Sequence, residues 1–160
     1  IPSIKKKFPD YSSFSKASLT EVYTPEKLND ALTYEAKTFA NSIFMNQSST
    51  FIQKPLPYAA QTSSINDMII EDIDNDGVLD IVLAGNLYGS EVETPRNDAS
   101  IGYLLTGIGN GEFHTVSPIE SGINILGEVR SIKTINLADK KGSYLIARNN
   151  MNLLVLKKNK

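Results

Sequence analysis

Residues 72–83 read DIDNDGVLDIVL: four aspartates within nine positions, a glycine, then an apolar run. Carboxylates this close repel one another, and a folded loop leaves them too little water to offset the repulsion. With Asp72 as position 1, carboxylates fall at positions 1, 3, 5 and 9 (Asp72, Asp74, Asp76, Asp80) and the Val78 carbonyl at position 7. Alternate spacing turns successive oxygens inward, and Gly77 at position 6 permits the sharp turn that brings the second half of the loop back. Hard oxygen donors in a flexible ring suit Ca²⁺, whereas Mg²⁺ demands stricter octahedral geometry and keeps more water. An EF-hand would carry a bidentate Glu at position 12 between two helices, but here position 12 is Leu83 and both flanks have a β pattern. A solvated Asn75-Asp76-Gly77 hairpin turn would need one or two acids and leaves four in ligand register unexplained. The stretch is therefore expected to be a strand–loop–strand calcium site.

Outward from the loop, short period-two segments continue in both directions. SINDMII (64–70) and DIVLAGN (80–86) flank the acids, and NSIFMN (41–46) and TFIQK (50–54) flank the turn Gln47-Ser48-Ser49. Downstream, IGYLLTG (101–107) and EFHTV (112–116) flank Ile108–Gly111, EVRSIKTINL (128–137) and SYLIARN (143–149) flank residues 138–142, and LLVLKK (153–158) follows. The alternation of Leu32, Tyr34 and Ala36 with Thr33, Glu35 and Lys37 predicts a further half-buried strand. The start of the chain differs. Ser12–Ala17 is expected to form a helical turn, and Thr24-Pro25 a helix start leading into Pro25–Leu32.

The pattern repeats. NSIFMNQSSTF matches GYLLTGIGNGEF, each followed by a proline (Pro57, Pro118), and IVLAGN (81–86) matches LIARNN (145–150). The offset is roughly 62 residues, one four-stranded unit per repeat. The expected architecture is all-β: two four-stranded β-propeller blades of an incomplete propeller, over 36–90 and 91–160, after a helical or linker segment at 1–35.

Composition narrows the function. The 160 residues carry a formal charge of −2 and no cysteine, so there is no basic excess for nucleic acid or an acidic membrane, and no disulfide or thiolate chemistry. No apolar run approaches the roughly 20 residues of a membrane span. The sequence begins at Ile1 with neither a Met nor a signal peptide, as expected for a mature chain or a piece of a longer one. The lone histidine, His114, has no serine or carboxylate partner fixed by sequence, which favours packing over general-base chemistry. GIGNG (107–111) lies between strands with no following helix, so it is read as a hairpin turn rather than a phosphate loop. Lys5–Lys7 and Lys157–Lys160 are read as solvated ends, and Asn46-Gln47-Ser48 as a chance glycosylation pattern.

DIDNDGVLDIVLAGN resembles the calcium loop of FG-GAP/VCBS repeats, the blades of integrin-α-type propellers and of many bacterial exported proteins. NSIFMNQSSTF and GYLLTGIGNGEF resemble that family's strand–turn–strand element. The resemblance covers roughly residues 38–157 and places the chain toward the C-terminal part of a bacterial exported VCBS-repeat protein. It implies calcium on Asp72, Asp74, Asp76, Asp80 and the Val78 carbonyl. Two departures stand out: NLADKKGS (136–143), where the second loop should be, keeps one acid and gains two lysines, so it is expected to be metal-free, and the QSST turn lacks the family's glycines.

Two readings of function follow. One is a non-catalytic, calcium-stabilised module of an extracellular, cell-surface or periplasmic protein. It would bind the rest of the propeller or a companion chain, and a protein or glycan through the polar loop LYGSEVETPRNDAS (87–100), with Tyr88, Glu93 and Arg96 as contact residues. The other is a subdomain of an exported enzyme whose catalytic residues lie elsewhere.

Overall fold

The computed structural model describes residues 2–138 and 142–158, and the chain divides into two compact units, 1–39 and 40–160. The first carries four short helices: α1 (Pro2–Lys7), α2 (Tyr11–Ser15), α3 (Leu19–Val22) and α4 (Pro25–Asn29). Local chemistry sets their starts. The Ser13 amide donates to the Asp10 carboxylate at the head of α2, Ser18 and Glu21 form a reciprocal capping box on α3, and Pro25 opens α4. None of the described residues of this unit is fully buried. The strand expected at 32–37 is absent: Leu32 and Tyr34 stand exposed, and the described residues of this unit include no second strand to pair with their backbone groups.

Among its described residues the second unit has nine strands: β1 (Ser42–Gln47), β2 (Thr50–Pro55), β3 (Ile65–Glu71), β4 (Asp80–Gly85), β5 (Tyr103–Gly109), β6 (Glu112–Val116), β7 (Val129–Ile135), β8 (Ser143–Arg148) and β9 (Leu154–Leu156). A 3₁₀ turn (Tyr58–Gln61) follows β2, and α5 (Pro118–Ser121) follows β6, again opened by a capping box, Ser117 with Glu120, and closed by Gly122. All strand pairs are antiparallel, and they form three sheets, β1-β2, β3-β4-β5-β6 and β7-β8-β9. The chain is thus mostly β, with none of its sheets closed into a barrel.

The sheets divide the strands differently from the sequence repeat. Each repeat begins with a tight hairpin and ends with a longer-looped one, but hydrogen bonding joins the longer-looped hairpin β3–β4 to the following tight hairpin, β5–β6. Sheets of two, four and three strands result, rather than two sheets of four.

Alternation along the strands gives the middle sheet two buried faces. Ile81, Leu83 and Leu105 pack with Leu56, Ala60, Ile43 and Phe113 on the β1-β2 side. Val82, Ala84 and Leu104 pack with Ile123, Ile125, Ile132 and Ile146 on the β7-β8-β9 side. This explains why β4 is apolar from Ile81 to Gly85, as expected of a strand covered on both faces.

Polar groups fix the second interface. The Asn66 amide donates to the carbonyls of Asn86 and Val129, and the Asn86 amide to those of Ser100 and Gly127. Asp67 on β3 accepts from the Ser131 hydroxyl, the Ile132 amide and Lys133 on β7. Burial pushes the Asp67 carboxyl up, but these donors and the Met68 amide outweigh it and hold it below the ordinary carboxylate value.

Candidate metal centre and rim loop

The acidic loop leaves β3 at Glu71 and returns at Asp80, which face each other across the β3–β4 ladder. Asn75 (φ 64°) and Gly77 (φ 89°) take left-handed backbone conformations, and these reverse the chain within the loop. The carboxylates then organise the turn. Asp72 accepts from the Asp76 amide at 3.1 Å and the Gly77 amide at 3.0 Å, Asp74 from the Asp76 amide at 3.2 Å, and Asp76 from the Val78 amide at 2.7 Å. Asp80 is fully buried. It accepts from the Ile73 amide at 2.8 Å on one oxygen and from the Gly107 amide at 2.9 Å on the other.

Gly107, expected at the junction of the 101–107 strand and the GIGNG turn, lies within β5. A side chain there would run into the Leu79 carbonyl and Val78, so the missing Cβ is what lets β5 approach the loop and donate to Asp80. The turn itself lies further on, at Gly109-Asn110-Gly111, all with positive φ.

One oxygen each from Asp72, Asp74 and Asp80 lies within 4.8 Å of the others. Oxygens on opposite sides of a calcium ion bound at 2.3–2.6 Å are about 5 Å apart, so three all-oxygen donors at this spacing fit Ca²⁺. The set matches three of the four aspartates expected from the sequence. Asp76 stands outside it, its carboxylate turned to the Val78 amide, and the Val78 carbonyl lies in the same turn.

Beside the loop, Glu71 joins the middle sheet to the last one. It accepts a hydrogen bond from the Tyr144 hydroxyl on β8 and pairs with Lys158, whose ammonium lies 5.1 Å from the Tyr144 ring centre. Burial first, then the bond to Glu71, raise the Tyr144 hydroxyl well above its ordinary value, so it stays a donor. Lys158 is thereby a paired residue rather than a solvated end. This pairing was not legible from the sequence, because Glu71 and Tyr144 lie on different strands far from Lys158 along the chain. The metal-free expectation for 136–143 covers residues 139–141, which lie outside the described residues, as do 159–160.

The 87–100 loop is closed by reciprocal backbone bonds between Leu87 and Asn97, with a turn at its tip where the Thr94 amide donates to the Glu91 carbonyl. The Arg96 guanidinium lies 4.5 Å from the Tyr88 ring centre and pairs with Asp98 at 2.9 Å. Two of the three expected contact residues are therefore brought together, while Glu93 sits apart in the exposed tip. His114 lies in β6 opposite Thr106, whose hydroxyl donates to the His114 backbone carbonyl. Among the described residues, no helix is long and apolar enough to cross a membrane. Comparison with protein-family models, curated proteins and solved structures finds no match to this chain.

Proposed function

We propose that this chain is a non-catalytic, calcium-stabilised module of radially arranged β-sheets, of the FG-GAP/VCBS propeller type, in an exported or cell-surface protein. The observation that supports this most is the meeting of Asp72, Asp74 and Asp80 at the head of a β-hairpin, with Asp80 anchored to the neighbouring strand. Calcium there neutralises carboxylates that otherwise repel, and Asp76 and the Val78 carbonyl complete the shell when the ion is bound. Its chemistry is structural, since an ion held by oxygen ligands on a hairpin stiffens the loop without activating a nucleophile.

The 87–100 loop leaves the end of β4 opposite the acids and presents the stacked Tyr88–Arg96 pair to a protein or glycan. Aromatic and arginine side chains of this kind dominate contact energies. Extracellular sites of this type bind calcium at about 10⁻⁴–10⁻³ M, so millimolar calcium adds on the order of 1 kcal/mol of stability. Calorimetric titration is expected to show one bound ion, and chelation to lower the melting temperature by about 3–5 °C. An unchanged melting curve with and without chelator, together with no heat of binding, rejects the proposal.

A further inference from the structure

Three surfaces at and opposite β1–β2 lack cover: the free edge of β1, the outer face of β1–β2, and part of β3 on the middle sheet. β1 is bonded on one side only, to β2, whereas β5 is bonded both to β6 and to β4. Phe44 and Phe51 are 63% and 69% exposed, while Leu105 and Phe113, at the matching places on β5 and β6, pack in the core with Leu105 at 0%. Met68 and Ile70 share the face of β3 that continues from Leu83 and Ile81, yet are 42% and 56% exposed, because the sheet packed on that face has no strands opposite β3. To match the four strands of the middle sheet, the β1–β2 sheet would need two more strands beside β1.

The last sheet has the opposite deficit. β7–β8 pair as β3–β4 do, each ladder broken by one bulge near its start, at Val129/Ser131 and Ile65/Asp67. The Asn149 amide donates to the Glu128 carbonyl as the Asn86 amide does to that of Ser64. Yet the third strand, β9, is only three residues long, and no fourth follows among the described residues.

We infer that a second copy of this chain fills both gaps at once, β1–β2 of each copy pairing with β8 of the other in place of β9. In the register of β4–β5, Phe44 then lies opposite the partner copy's Tyr144 and Ile43 opposite its Leu145, the positions β9 now fills with Leu156 and Val155. The same pair of edges meets twice, β1 of each copy on β8 of the other, which is the reciprocity a closed two-fold assembly requires. Two middle sheets and two composite sheets make four sheets of four strands, about the smallest number at which radially arranged sheets close. A lone copy is prevented from doing this, because its first and last sheets lie on opposite faces of the middle one. β9 acts as a short internal competitor for the docking edge. The inference rests on the radial-sheet reading above and is independent of calcium binding.

Light scattering of the full chain from about 1 to 200 μM is the first test, and a dimer is expected. The chain has no cysteine, so Ile43→Cys in one copy and Leu145→Cys in a second copy report one contact, and directly opposed strand positions suit a disulfide. Oxidising a mixture of the two variants is expected to give the mixed covalent dimer in preference to either like pair. Phe44→Asp, at a position exposed in the single chain, is expected to leave a folded monomer with an unchanged tyrosine circular-dichroism spectrum. A monomer throughout this range, a dimer indifferent to Phe44→Asp, or a bridge formed within one copy when it carries both substitutions overturns the inference. A calcium response in such a monomer leaves the functional proposal standing, whereas a cross-linked dimer without any calcium response overturns only the metal reading.

Discussion

The Asp80 carboxylate accepts from Ile73 and Gly107 and holds the acidic loop to β5, while Asp74, more exposed, accepts only from the Asp76 amide beside it. Removing the first acceptor strands the buried Gly107 amide and the half-buried Ile73 amide, each costing up to about 1–3 kcal/mol. Asp80→Ala is therefore expected to destabilise the chain by about 2–5 kcal/mol in excess chelator, measured by urea unfolding. Asp74→Asn is expected to change chelated stability by under about 1 kcal/mol and to abolish the gain from calcium. Equal losses for both variants in chelator contradict this division of roles. At this scale the clustering of Asp72, Asp74 and Asp80 was legible, because their spacing in the loop is local. The anchoring was hidden, since Gly107 reaches Asp80 only through strand pairing, and so was the turning of Asp76 toward Val78.

Between elements, β3 and β7 meet through Asp67, whose acceptor role keeps its carboxyl below the ordinary value. A depressed carboxyl contributes stability that is fully present above its unfolded value, about 3.9, and is lost as pH falls through the folded one. Asp67→Asn is thus expected to cost about 1–2 kcal/mol at pH 7, with the difference from the parent shrinking below about pH 4. A constant difference across pH 3–7 in thermal melts counts against the assignment. The nine strands of the second unit were legible from alternation and from Gly, Asn and Ser turns. The stretch 32–37 alternates just as well and forms no strand, because alternation reports which face is apolar and not whether a neighbouring edge exists. Sheet membership was illegible for a related reason: a repeat read along the chain can begin anywhere, whereas β4–β5 pairing decides where a sheet begins.

Across the whole second unit, the two interfaces of the middle sheet differ in kind. The side facing β7–β9 is cross-linked by the Asn66 and Asn86 amides, by Asp67 and by Glu71, whereas the described polar ties between β1–β2 and that sheet come from Lys54, to the Asn110 carbonyl and Glu112. Hydrogen bonds across an interface must break together when it is sheared, while an apolar face with few such ties can slide. Under tension applied at its ends, the unit is expected to yield in two steps, β1–β2 peeling away first and at lower force. Single-molecule extension checks this, and a single event releasing the full contour length contradicts it. A protein built this way carries a mechanical fuse: a load from the N-terminal side is taken up by the first hairpin before it reaches the aspartate loop.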